Sequence, residues 1–262
     1  MLNSLKRQFH SDNRGCQMTG WQVEDQEDCR AYFRNRVAAK LRESDGSAIL
    51  QDYILELGDT GFSTNGFDVQ VAQSPQAKDW EIGEAFAETL LEDQHEASFP
   101  WPTSLDKRTP KASLPGPDLV GFHRKLTPRF LFGEVKSSSQ EDPRNLVTDA
   151  DDALLKQLSR LIKSQPHHQQ LIQWMLVKTK QDPRWLPVLN AALKEFYAPA
   201  GRGWIVGILV RGGRPPAQEE LAKAREVLAA EDAGFDVTLM AIYLPFHKDD
   251  WVQLVYQEGG QH

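Results

Sequence analysis

The stretch Gly116-Pro-Asp-Leu-Val-Gly-Phe-His-Arg-Lys-Leu-Thr-Pro-Arg-Phe-Leu-Phe-Gly-Glu-Val-Lys-Ser-Ser-Ser139 decides how the rest of the chain is read. It holds two short apolar runs, Leu119 to Phe122 and Phe130 to Phe132. The segment between them, His123 to Pro128, is polar and ends in proline, the punctuation expected between antiparallel strands. Asp118 opens the first run, and Glu134 and Lys136 close the second, which begins at Arg129. Strand side chains alternate between faces, so Glu134 and Lys136 point the same way with Val135 buried behind them.

That arrangement suits a hard cation. Carboxylates on neighbouring strands, with the backbone carbonyl of Val135 between them, offer oxygen ligands of the kind Mg²⁺ takes, with Mn²⁺ as a substitute. Lys136 stands where it can orient or help deprotonate an attacking water, or offset charge building on a phosphate. A Glu-x-Lys pair on a solvated sheet face has the same spacing without any chemistry. Three features favour the site: Gly133 leaves room beside the pair, Asp118 follows the loop-forming Leu114-Pro115-Gly116-Pro117, and the apolar flanks imply buried strands on which charge is costly.

Pro117-Asp118 followed by Glu134-Val135-Lys136 resembles the signature of the PD-(D/E)xK nuclease superfamily, over roughly residues 80 to 245. The resemblance implies an α/β, restriction-endonuclease-like mixed sheet flanked by helices. It also implies metal ligation by Asp118 and Glu134, a catalytic role for Lys136, and hydrolysis of phosphodiester bonds, with DNA as the expected substrate. Many members open their core with a helix, and some take a further metal ligand from it. Here the helix starts at Asp79, and Glu84, directly after Gly83, is the first choice, with Glu88 second. Branches of the superfamily set a glutamine or lysine from the helix after the hairpin near the substrate backbone, which singles out Gln157. A solvated helix face accounts equally well for Glu84 and nearly as well for Gln157. The Gly-Glu-Val-Lys form is similar to nuclease subunits of bacterial anti-phage systems, the Hachiman type among them, which act beside a helicase. A helicase, another ATPase or a regulatory subunit is therefore an expected partner.

Outward from the hairpin, helical spacing predicts helices over 28–43 (Tyr32, Phe33, Val37, Leu41) and from Asp79 to Asp93 (Ile82, Phe86, Leu90). Strands are expected at 48–57 and 66–72, and a first core strand at Phe99 to Trp101. Thr148-Asp149-Ala150-Asp151 resembles a capping box opening a helix to Lys163. Residues 166–200 read as a helical insertion, with His167-His168 as a loop pair. Trp204 to Val210, Ala217 to Ala230 and Phe235 to Leu244 form a strand, helix, strand alternation. Arg211-Gly-Gly-Arg214 reads as a turn, with phosphate contact as the alternative. Residues 1–78 are an α+β addition of unassigned role, and 79–262 the core.

Composition bounds the rest. The 262 residues suffice for a sizeable core, and no run of eighteen apolar residues or leader-like N-terminus appears, so a cytoplasmic protein with no membrane partner is expected. The net charge of −7 argues mildly against a nucleic-acid partner. Over 103–136, however, seven basic residues face three acidic ones, a local balance of +4. Cys16 and Cys29 have no metal or disulfide spacing. Phosphate-loop, Gly-x-Ser-x-Gly and dinucleotide fingerprints are absent, which excludes the corresponding ATPase, hydrolase and dehydrogenase classes. Two rivals stay open: a catalytically silent module of the same fold that binds nucleic acid or a partner, and an unrelated α/β interaction protein.

Overall fold

The computed structural model describes residues 1–43, 76–102, 116–124, 126–231 and 234–256. The strands expected at 48–57 and 66–72, and the basic residues Lys107, Arg108, Lys111 and Lys125, lie outside them. The chain is α/β, with a seven-stranded mixed sheet flanked by helices on both faces. Its strands are β1 (Leu5–Asn13), β2 (Cys16–Val23), β3 (Ala97–Ser98), β4 (Leu119–His123), β5 (Arg129–Ser138), β6 (Gly203–Gly212) and β7 (Phe235–Leu244), in spatial order β1-β2-β7-β6-β5-β4-β3. The inner four, β2, β7, β6 and β5, run parallel, and the flanking pairs are antiparallel. β6 is buried along its whole length, as its uninterrupted apolar run requires of a strand covered on both faces.

Alternation sorts the helices. Leu131, Val135, Val206, Ile208 and Ile242 face α1 (Gln26–Tyr32), the π-helical turn Phe33–Val37, α2 (Ala38–Glu43), α3 (Asp79–Gln94) and α8 (Trp251–Tyr256). Phe130, Phe132, Ile205, Leu209 and Leu239 face α4 (Leu154–Lys163), α5 (Gln165–Gln181), α6 (Leu186–Phe196) and α7 (Glu219–Ala229). Each fully buried Leu, Ile or Phe contributes about 1.5–3 kcal/mol. Gly207 of β6 has no side chain because Leu158 and Leu154 of α4 occupy that space: an added Cβ would lie 2.5 Å from Leu158.

Four local expectations are corrected. The strand near residue 99 lies earlier, at Ala97–Ser98, and Phe99 and Trp101 pack in the core instead. The helix ending at Lys163 begins at Leu154, because Ala150 and Ala153 are extended and Asn145–Asp149 closes as a separate π-helical turn. His167 and His168 belong to α5; His168 is buried, stacked on Phe132, and its Nε2 meets the Leu161 carbonyl. Arg211 is neither turn nor phosphate contact: it lies within β6 and is fully buried. The β1–β2 hairpin carried no sequence assignment. Its Arg14-Gly15 corner has φ of 49° and 83°, the left-handed pair of a tight two-residue turn, and β2 continues the sheet beside β7.

Both cysteines are buried, and burial raises Cys16 to about 11 and Cys29 to about 12. Neither thiol is expected to react with a disulfide reagent at pH 8 unless the chain is unfolded; thiol titration with and without denaturant checks this.

Candidate active site

The β4–β5 pairing decides the geometry. Leu119 pairs with Gly133, so residue 118 stands opposite residue 134, on the face shared with Val120 and Phe132. β4 ends there, and the Asp118 side chain takes over the ladder, its Oδ2 accepting from the Val135 N–H at 2.8 Å. A strand residue directs its N–H and C=O to the same edge, so the Val135 carbonyl lies on the Asp118 side, beyond Leu119, the first β4 residue. Sequence had assigned that carbonyl to a metal, and its direction suits the role.

Glu134 is only 3% exposed, and its Oε2 has no hydrogen-bond partner among the described residues. Burial raises its pKa far above the usual carboxylate range, and the adjacent Asp118 raises it further through charge and a shared hydrogen bond. Lys136 opposes the shift, and Glu84 adds to it. Thus the charges of Asp118, Lys136 and Glu84, three of the residues singled out by sequence, are all felt at Glu134. An unpaired buried carboxylate oxygen costs about 1–3 kcal/mol or more, so the fold retains a group that packing alone disfavours.

Glu84 approaches from the other face. α3 lies against the Val135 and Ser137 side of β5, and an added Cβ on Gly83 would fall 2.1 Å from the Ser137 Oγ. The glycine therefore lets the helix approach closely enough for its neighbour to influence Glu134. α3 is fixed at its start by the Lys248–Asp79 ion pair at 2.6 Å.

Glu88, the second choice, turns instead to the buried Lys40 at 3.4 Å, where Glu92 also binds at 2.8 Å. Burial outweighs the attraction of Lys40 and, aided by Glu92 and Glu43, pushes Glu88 from 4.5 up to about 7. A carboxyl that holds its proton more tightly when folded loses stability as it ionises, so this contribution falls as pH rises from 4.5 through about 7. Glu88→Gln is expected to raise the melting temperature by a few degrees at pH 8 and to change it little at pH 4.5; melts across that range check it.

Gln157 sits in the first turns of α4, between Leu154 and Leu158, which press on Gly207, the β6 partner of Glu134. Its Oε1 is buried and unpartnered. It thus overlies the Glu134 face of the sheet.

Arg211 is where the phosphate alternative fails. It is fully buried, donating to Glu220 at 3.0 Å and to the carbonyls of Ser138, Gln140 and Glu141 at 3.2, 2.6 and 3.4 Å. With no exposed surface, the guanidinium is out of a ligand's reach, and the residue instead clamps the segment that leaves β5 after Lys136. Sequence offered no sign of this, because the acceptors are main-chain oxygens some seventy residues away.

The donor set fits a hard divalent cation. Asp118 and Glu134 stand opposite one another across the β4–β5 pairing, the Val135 N–H is bonded to Asp118, and one Glu134 oxygen lacks a partner among the described residues. Among the described residues, no group of three or more His, Cys, Asp and Glu forms a metal cage. Mg²⁺ is commonly held by one or two carboxylates with water and substrate phosphate completing the shell, so two suffice. No helix among the described residues is long and apolar enough to cross a membrane. No protein-family model matches the chain, and no curated protein does.

Proposed function

We propose that this chain is a metal-dependent nuclease of the PD-(D/E)xK class, with a restriction-endonuclease-like core, that hydrolyses phosphodiester bonds in DNA. The observation that carries the reading is the buried, unpartnered Glu134 Oε2 facing Asp118 and flanked by Lys136. The element order of helix α3, hairpin β4–β5, helix α4, strand β6, helix α7 and strand β7 supports it. Asp118, Glu134 and the Val135 carbonyl would hold Mg²⁺ or Mn²⁺, with Glu84 adding negative potential. When bound, the cation supplies Lewis-acid polarisation of the scissile phosphate and acidifies a water. Lys136, on the same face as Glu134, would orient the attacking water and offset charge on the phosphate oxygens. The water oxygen bonds to phosphorus as the bridging P–O bond breaks; the water gives up its proton to solvent, and the departing alkoxide oxygen takes one from solvent to leave as a hydroxyl.

A nuclease of this kind endangers its own cell unless restrained. We place it in the cytoplasm as the effector of an anti-phage system, working beside a helicase or another regulatory subunit. The test is incubation with linear, circular and single-stranded DNA and with RNA, in Mg²⁺ or Mn²⁺, using wild type, Glu134→Ala and Lys136→Ala. Metal-dependent cutting lost in both variants supports the reading. If no substrate is cut, with or without the product of a neighbouring gene, the chain is a non-catalytic binding module.

A further inference from the structure

The parallel strands send the chain in opposite directions at neighbouring carboxyl ends. β6 leads to α7 on the Phe132 face, whereas β7 and β2 lead to α8 and α1 on the Val135 face. In open α/β sheets, ligand crevices form where such connections diverge. Here the divergence opens a cleft of about 450 Å³ whose walls include Gln22, Glu24, Gln26, Arg214, Leu244 and Pro245. Leu244 pairs with Gly212, five residues beyond the level at which Glu134 pairs with Gly207. At about 3.3 Å per residue, the cleft is displaced by ~17 Å along the strands and lies two strands across, so it is a separate place from Glu134.

Its charges are unequal. Glu24 is neutralised by Lys6 at 3.0 Å. Arg214 has no ion-pair partner among the described residues, and its Nε is buried without a hydrogen bond. The contrast with Arg211, three residues earlier, is direct: every arm of that guanidinium is engaged. A guanidinium fork matches two oxygens of a phosphoryl group, the Gln22 and Gln26 amides can add donors, and Leu244 and Pro245 give the apolar wall on which a sugar or base can rest.

We propose that this crevice binds a phosphoryl group carried by a nucleotide, with Arg214 as its principal ligand. The group belongs either to a free mononucleotide or to a nucleic-acid strand. The inference stands apart from the nuclease reading, because a non-catalytic chain would hold the same ligand.

Calorimetric titration of the full chain with inorganic phosphate, AMP and a short oligodeoxynucleotide, without divalent metal, tests it. Wild type, Arg214→Gln, Arg214→Lys and, as a control for loss of an exposed arginine, Arg184→Gln would be compared, with melts to confirm folding. The expected result is phosphate and AMP binding equal in wild type and Arg184→Gln, a loss of about tenfold or more in Arg214→Gln, and partial recovery in Arg214→Lys. A loss in Arg214→Gln confined to phosphate and AMP assigns a free nucleotide, and a loss that extends to the oligonucleotide assigns a strand. Binding unchanged in both Arg214 variants, or no binding of any probe by wild type, would overturn the proposal.

Discussion

Glu134→Gln is expected to lower metal-dependent cleavage by about a hundredfold or more while making the metal-free protein more stable. The two effects share one cause. In the folded chain, burial and the facing Asp118 hold the Glu134 carboxyl far above its ordinary range, so ionising it costs folding free energy. The neutral amide fills the same space without that charge. Stability of the metal-free wild type therefore falls as pH rises above about 4.5, and the gap to Glu134→Gln widens toward pH 8 and closes in acid. A gain of several degrees in melting temperature is expected at pH 8, since about 1 kcal/mol moves a chain of this size by roughly 2–4 °C. Added Mg²⁺ should raise the melting temperature of wild type and leave the variant where it was. A residue retained for packing would behave differently, losing activity and stability together. Thermal melts at pH 5 and pH 8, with and without metal, separate the two cases.

Arg211→Met carries the second large effect, in the opposite direction for stability. The substitution leaves Glu220 buried, with Tyr243 still donating to it but no cation beside it, and strands the Ser138, Gln140 and Glu141 carbonyls. Removing one partner of a buried pair costs about 3–5 kcal/mol, a large share of the roughly 5–15 kcal/mol that holds a domain together. The melting temperature should drop by about 10 °C or more. Cleavage should weaken too, because the freed segment follows Lys136 directly. Arg211→Lys restores the charge but not the fork, so it should recover only part of the loss. If Arg211→Met melted like wild type, the clamp would be discounted.

The hairpin carrying Asp118 and Glu134 was legible because three local signals agree there: apolar alternation, a proline-ended turn and charge placed where strands are buried. The β6, α7 and β7 boundaries were legible for the same reason, through long apolar runs and a regular helix. β1 was not, because it is an outer strand with few buried residues, and its place depends on β2 pairing with β7 more than two hundred residues later. The choice between Glu84 and Glu88 could be ordered but not decided from α3 itself. Lys40 on another helix engages Glu88, and Ser137 marks how closely Gly83, beside Glu84, approaches β5. Arg211 and Arg214 look alike in sequence, and only the carbonyls around Arg211 distinguish a clamp from an available guanidinium.

The most direct test of the central claim is anomalous scattering from crystals of the chain grown with Mn²⁺. One strong peak shared by the Asp118 and Glu134 carboxylates, absent from Glu134→Gln crystals, is expected. A well-ordered Asp118 and Glu134 with no peak between them, or a peak retained in the variant, would contradict it.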